Sequence, residues 1–507
     1  MLANQLQRRH VNYRLVDSRG DREYRCKAMG ISPRTLEIFD QMGVLDEALD
    51  RGLFFTALNT VVSGQPVDRV EVTPNKDPYG AMALSQFDTE DILEADLRRW
   101  GGRIERRTTL RSMRNTPLFI EAEFEGPSGL EVVHSRWLVG CDGSHSLVRK
   151  SLDLPFDGDQ YEQTFLLGDV EIEWCHPHSE VWKLITRSEG AVTQVVVAVP
   201  IPGNPRRYRL SLAVPPECQQ AHADPLELLR QLAGPSLPPG TRLDHLRWSS
   251  FYRISHRLVP RYRVGRVLLA GDAAHIHPPF GGLGMNTGLQ DAYNLGWKLA
   301  AVARGEALEG LLETYHQERH PVGEQVVNLT AARMDDAAAG RLRDPQAEER
   351  ANTQLWVHYR GSSLAVGEVP PGDRGAEPGD RVDFIEGLER AYVRRQARLI
   401  DLLRVGPFHL VGYGGDWADF AVLVERVRPY FGAELRAWAV LSPGESVSDL
   451  PEDIARLQDG LGQARDAWGE GPGALLVRPD GHVGWRGRPR LDPALEGLLK
   501  TVSLNHS

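Results

Sequence analysis

Apolar and polar positions follow two rhythms along this chain, and each predicts its own kind of element. Between Arg266 and Ala300 the sequence reads RVLLAGDAAHIHPPFGGLGMNTGLQDAYNLGWKLA. The opening apolar run, Val267 to Ala270, suits a short buried strand. Gly271 and Asp272 follow at its carboxyl end, then two prolines and a turn carrying Gly281, Gly282 and Gly284. A helix is predicted from about Asn286 or Thr287, because Thr287 and Gln290 have the spacing of a capping box. Strand, polar hook, glycine turn and helix amino-terminus frame a large, flat, partly anionic ligand, since backbone N–H groups and the helix dipole face it.

A period of two governs residues 160 to 260. Runs such as AVTQVVVAVP and YRLSLAVP, parted by Pro/Gly turns, predict an antiparallel sheet. Near the start, Leu2 and Leu6 lie one turn apart and predict a helix over residues 2–9. A strand then runs through Val11, Tyr13, Leu15 and Val16 to Asp17. Val132, Val133, Trp137 and Val139 predict another strand, with Asp142-Gly143 turning into a helix that carries Val148 and Arg149. Ser32-Pro33 reads as an N-cap with proline at the first helical position, which makes Arg34 structural. In LSQFDTEDIL, Asp88 or Thr89 is the expected cap. Pro321 is expected to end or kink a helix. A Pro/Gly/charge-rich stretch at 369–382 reads as a linker, and Arg478-Pro479-Asp480-Gly481 as a hairpin turn.

Composition narrows the class. A chain of 507 residues, 41% hydrophobic, fits a multi-domain globular protein. A net charge of -10 argues against nucleic acid or an anionic membrane as partner. No apolar run reaches membrane-spanning length and no signal-peptide pattern opens the chain. Cys26, Cys141, Cys175 and Cys218 are scattered without a CxxC pair, which predicts a reduced, cytoplasmic protein. His275-Ile276-His277 and Cys175-His176-Pro177-His178 are ligand-like but too sparse for a metal site, so no metal is expected.

The Arg266–Ala300 block resembles the second flavin-binding motif of the single-component, FAD-dependent aromatic hydroxylases, the class A flavoprotein monooxygenases. That resemblance implies an α/β fold: a Rossmann-like FAD-binding domain (residues 1–160 and 263–368), an inserted antiparallel substrate domain (161–262, with part of its sheet near 53–85) and, after the linker, a third domain over 383–507. LIDLLRVGPFHLVGYGG and ALLVRPDGHVGWRG in the third domain resemble the thioredoxin-like domain of phenol, hydroxyphenylpropionate and polyketide hydroxylases. It holds no cysteine, so its expected role is structural or in subunit contact, as in a homodimer.

The resemblance also assigns site residues. Gly271 and Asp272 meet the ribityl chain; Pro279, Gly282 and Gly284 form the turn; Met285 and Asn286 lie against the pyrimidine edge of the flavin. Pro279 and Asn286 are the catalytic candidates, a wall without amide donors and the positive end of a helix. Arg25 and Lys27 match cations near the phosphates or ribityl, Gln86 a glutamine beside the flavin, and Asp142 the Asp-Gly motif under the pyrophosphate. Asp17 matches the acidic residue that bonds a ribose hydroxyl. Trp248, Phe251, Tyr252 and Arg253 are pocket candidates by position. The implied reaction consumes NAD(P)H and dioxygen and hydroxylates an electron-rich aromatic small molecule through a flavin C4a-hydroperoxide; a flavin oxidase or reductase is the alternative on the same fold.

One expected motif is missing. The G-x-G-x-x-G turn normally lies about 20 residues before the acidic residue. Only sixteen residues precede Asp17, and none is glycine. The first strand and its turn are therefore expected upstream of Met1; the other reading is a truncated apo-flavoprotein without activity.

Overall fold

The computed structural model describes the chain except residues 23–27, 73–78, 190, 219–223, 280, 339–340, 342, 391–394, 405 and 505–507. The first element is the helix Leu2–Arg8, one residue shorter than predicted. It packs along the helix Leu283–Ala303 at Gly296, where an added Cβ would fall 2.4 Å from Gln5 Cβ. Its polar face is anchored to the helix Gln86–Arg99: Asn4 Nδ2 donates to Leu93 O at 2.8 Å and to Asp96 Oδ2 at 2.9 Å. Gly296→Ala is expected to lose about 1 kcal/mol or more, because overpacking at this contact outweighs the gain in helix propensity. Urea unfolding checks it, and an equally stable variant would show that the first helix is free to shift.

The parallel strands of the cofactor unit lie in two pieces among the described residues. Val16–Asp17 pairs with Glu105–Arg106, and Leu138–Gly140 pairs with Val267–Leu269. The first of these is shorter than the predicted run from Val11: residues 11–15 lie outside the strand, with only Leu15 O accepting from Glu105 N–H at 2.8 Å. The run from Val132 to Val139 is likewise two strands. Gly129–Ser135 closes a separate three-stranded antiparallel sheet, and Leu138–Gly140 joins the parallel one. Val267, Leu268 and Leu269 are buried, as a strand covered on both faces requires.

Seven strands form the second unit, in the order 242–255, 160–173, 207–214, 191–200, 180–188, 57–62 and 65–71. All neighbours are antiparallel except Glu180–Ser188 beside Ala57–Val62. Residues near 53–85 thus contribute two of the strands. Alternation sets the two faces: Leu166, Leu184, Val196, Leu210 and Leu212 are buried with Leu228 and Leu229 of the helix Pro225–Ala233. Their neighbours in sequence look the other way, into the cavity described below.

The carboxy-terminal sheet has eight strands. Its centre is thioredoxin-like: Phe408–Tyr413, the helix Trp417–Phe431, parallel Leu435–Leu441, then antiparallel Gly473–Val477 and Val483–Gly487, and the helix Pro493–Val502. Pro321 neither ends nor starts a helix; Glu313–Ala338 runs through it. The helix is held by burial of Tyr315, Val322 and Val326 on either side, so one absent backbone bond does not break it. Stretch 369–382 is pinned rather than loose: Val382 N–H donates to Gly481 O, and Arg381 reaches Glu37. No described helix is long and apolar enough to cross a membrane.

Candidate functional site

The strand Val267–Leu269 delivers Gly271 into a left-handed turn at φ 60°. An added Cβ on Gly288 would come within 3.1 Å of Gly271 Cα, so only two glycines let this turn and the helix Leu283–Ala303 touch. The helix begins at Leu283, three residues ahead of the earliest expected start, and Gly282 is its N-cap at φ 66° with no capping side chain. Thr287 and Gln290 are interior. Their side chains face Gln354, whose Nε2 donates to Thr287 Oγ1 at 3.0 Å and whose Oε1 accepts from Gln290 at 2.8 Å. The capping-box spacing therefore marked a buried polar contact, not a helix end. Gly282 instead supplies the left-handed backbone that starts the helix, and it packs in van der Waals contact with the backbone at Gly30.

Asn286 fixes this geometry. Its Oδ1 accepts from Ser32 N–H at 3.0 Å, and its Nδ2 donates to Gly30 O at 2.9 Å and Gly282 O at 2.8 Å. The side chain is fully engaged in clamping the turn to the segment 30–32. What Asn286 and Met285 offer the cavity beside them is the helix amino-terminus and the thioether.

A cavity of about 2740 Å³ opens between this turn and the seven-stranded sheet. Gln86, Gly271, Asp272, Pro279, Gly282, Gly284, Met285 and Asn286 all line it. Gln86 is the first residue of its helix: Ser85, not Asp88 or Thr89, is the N-cap, accepting from Asp88 N–H at 3.0 Å. Tyr252 and Arg253 also line the cavity, whereas Trp248 lies under Arg209 and Phe251 is exposed. Asp142 is outside the lining, although Cys141 and Gly143 belong to it. The Asp142 carboxylate caps the short helix Leu147–Lys150, accepting from Ser146 Oγ at 2.5 Å and Val148 N–H at 3.1 Å. Asp17 likewise turns aside, to Arg19 N–H at 2.9 Å and Arg106 at 3.4 Å, while Arg19 reaches the cavity wall. Arg25 and Lys27 lie outside the described residues.

Beneath the turn is a set of buried polar groups. Asp291 Oδ2 accepts from Gly271 N–H at 3.1 Å and lies 2.7 Å from His275 Nε2, and Asp291 Oδ1 accepts from Arg319 Nε at 2.8 Å. Burial works against its charge, but Arg319 and His275 prevail and hold the carboxyl down at about 2. His277 bonds its own neighbour, Nδ1 to Pro278 O at 2.9 Å, and burial lowers it to about 4, which keeps it neutral.

Asp291 and Arg319 were not among the expected site residues. A signal was present: Thr287, Gln290, Asp291, Asn294 and Lys298 recur at helical spacing in an otherwise apolar segment, and all five are buried. A polar stripe buried in this way has to be satisfied by partners distant in sequence.

The residues present fit FAD. The glycine contacts bring bare backbone to the cavity, the helix amino-terminus is uncapped by any side chain, and Asp272 stands at the strand end. These features define a protein that holds FAD against a substrate sheet. The chain belongs to the FAD binding domain family, whose pattern matches residues 1–330. It is 32% identical to 6-methylpretetramide 4-monooxygenase of Streptomyces rimosus, across 99% of this chain and 91% of that protein. It is 31% identical to aklavinone 12-hydroxylase of Streptomyces purpurascens, across 98% of this chain and 95% of that one. The crystal structure of a ternary complex of aklavinone-11 hydroxylase with FAD and aklavinone superposes with a TM-score of 0.77 at 26% identity, covering 99% of this chain and 96% of that one. The protein is a FAD-dependent aromatic monooxygenase.

Proposed function

We propose that the protein hydroxylates a phenolic or polyketide aromatic substrate, taking electrons from NAD(P)H and oxygen from dioxygen. The observation that carries this reading is one continuous cavity between the flavin turn and the substrate sheet. Pockets for a single drug-sized ligand span roughly 300–1000 Å³; about 2740 Å³ leaves room for a flavin and a polycyclic ring system together. When bound and reduced, FAD supplies the activation of dioxygen that the protein side chains cannot.

The protein's own contribution is binding, orientation and exclusion of water. Gly271 and Asp272 would hold the ribityl end, and Pro279 with the residues from Gly282 to Asn286 would hold the ring system. The amino-terminus of the helix Leu283–Ala303 would offer positive partial charge to the ring system held there. Pro278 and Pro279 give a rigid wall with no amide donor, and the sheet closes the opposite side.

Two measurements test the reading. Asp272→Ala is expected to lose most of its bound flavin, seen as loss of visible absorbance in purified protein, while the apoprotein loses no more than the roughly 1 kcal/mol of one polar contact. Undiminished yellow holoenzyme would remove Asp272 from the site. Product mass in labelled dioxygen should show one added labelled oxygen; hydrogen peroxide as the only reduced product would make the protein an oxidase instead.

A further inference from the structure

The cavity-facing side of the substrate sheet carries, in the middle of a central strand, a cation that has no partner among the described residues. Lys183 is in the middle of the strand Glu180–Ser188, between Val181 and Ile185 on its own face. Cross-strand register places Thr60 on one side of it and Val197 on the other, then Ser211, Leu167 and Ser250 in the same row. From Val197 to Ser250 the row is apolar or hydroxylic; on the other side it ends at Asp68, opposite Thr60, a carboxylate two strands from the ammonium that also lines the cavity. Lys183 lines the cavity and is half-buried, and among the described residues it makes no hydrogen bond or ion pair.

Among the other charges of the cavity wall, Asp68 lies two strands away without a bond to Lys183, and Arg253 is exposed on the edge strand 242–255. Arg209, also in the cavity wall, is held by Asp169 at 2.7 Å and 2.9 Å. Arg69 is paired with Glu180 at 2.8 Å. Glu348 is the carboxylate whose charge Lys183 feels, but it is committed to Arg333 at 2.8 Å and Arg343 at 2.6 Å. Burial pushes the Lys183 ammonium below the usual lysine range. An amine left unpaired in an apolar wall is costly, and one strand position away it would face the packed side of the sheet.

We propose that Lys183 anchors an acidic oxygen of the substrate, so that the accepted aromatic compound carries a phenol, enol or carboxylic acid held as its anion against the sheet. The inference rests on the proposed aromatic hydroxylation and narrows its substrate class. Lys183 is a specificity residue in this account: it pairs with the oxyanion and fixes which way round the ring system lies. An ammonium beside a phenolate also lowers the proton affinity of that oxygen, so a bound phenol ionises more readily than a free one.

Binding probes test this without turnover. Alizarin, a hydroxyanthraquinone whose visible absorption moves to longer wavelength on ionisation, would be titrated into FAD-loaded protein beside anthraquinone-2-carboxylate and unsubstituted anthraquinone. Wild-type protein is expected to bind alizarin with the ionised spectrum at a pH where free alizarin is still protonated. Lys183→Met should lose that spectrum and bind more than about tenfold more weakly, while Lys183→Arg restores the anionic form. Anthraquinone should bind both proteins equally. If Lys183-dependent binding is confined to the carboxylate probe, the anchored group is a carboxylate and the proposal stands in that form. It is overturned if wild type binds neither acidic probe, if Lys183→Met leaves affinity and spectrum unchanged, or if anthraquinone binding falls as far as alizarin binding. Failure of the proposed hydroxylation would show separately, as absence of labelled oxygen in product with the Lys183-dependent spectrum intact.

Discussion

Arg478→Met is expected to destabilise the protein by about 3–5 kcal/mol, the scale for removing one partner of a buried ion network. The guanidinium is fully buried at the hairpin between Gly473–Val477 and Val483–Gly487. It donates to both oxygens of Glu318 at 2.7 Å and 2.8 Å and to Asp480 at 2.6 Å and 3.1 Å. Glu318 also accepts from Lys298 at 2.6 Å and Asn294 at 2.8 Å, both on the helix that begins at the flavin turn. Asp480 accepts from Trp297 at 3.0 Å on that same helix. The network therefore fastens the thioredoxin-like unit to the back of the cofactor site, a structural task that needs no cysteine. With Arg478 gone, two buried carboxylates share one ammonium.

The pH dependence of that loss has a definite sign. Glu318 is held down at about 2 and Asp480 well below the usual carboxylate range, by Arg478 first among the opposing charges. Groups with depressed folded values stabilise above their unfolded values, near 4, and lose that contribution as pH falls through the folded ones. Wild-type stability should accordingly decline from about pH 4.5 toward 2. The variant's carboxylates, buried without the guanidinium, gain from protonation, so the gap between the two proteins should narrow over the same window. Urea unfolding at several pH values measures it. A gap that is small and independent of pH would mean that the network is satisfied by water instead.

Much of this architecture was legible because its signals are local. The buried strand at Val267, the Ser32-Pro33 helix start and the alternating runs of the substrate sheet each follow from neighbours in sequence. The site's details depend on distant residues. Asn286 meets Gly30 and Ser32 across more than 250 residues, which no spacing rule reports. The helix start was misplaced because its true cap is a bare glycine, suited to the left-handed backbone there, while Thr287 and Gln290 imitated a cap as part of a buried stripe. Asp142 shows the reverse: the turn was visible, but its carboxylate closes a helix end beside the cavity rather than lining it. Alternation marked the region 160–260 as antiparallel sheet but not which face carries Lys183, since that depends on which side the helix Pro225–Ala233 covers.

Asp291→Asn is expected to do at the centre of the site what Arg478→Met does at its back, and with a flavin signature. The carboxylate joins three pieces: the turn through Gly271 N–H, the strand residue His275, and the helix Glu313–Ala338 through Arg319. Arg319 in turn donates to Thr287 O at 3.1 Å, holding the first turns of the site helix. An amide of the same shape cannot serve, because whichever oxygen becomes nitrogen would face a donor, Arg319 Nε–H on one side or Gly271 N–H on the other. The buried guanidinium also loses its counter-charge, so a cost of about 3–5 kcal/mol is expected. The turn that presents Asp272 then loses its acceptor, and flavin should dissociate as well. The two readouts separate this residue from Asp272 itself: Asp272→Ala should release flavin with the apoprotein losing no more than about 1 kcal/mol, whereas Asp291→Asn should lower the apoprotein midpoint and flavin retention together. Flavin loss from Asp291→Asn without destabilisation would place Asp291 in contact with the cofactor and end its assignment as a support. Full retention in a destabilised protein would mean that the turn keeps its shape without this carboxylate, leaving the glycine contacts to set it.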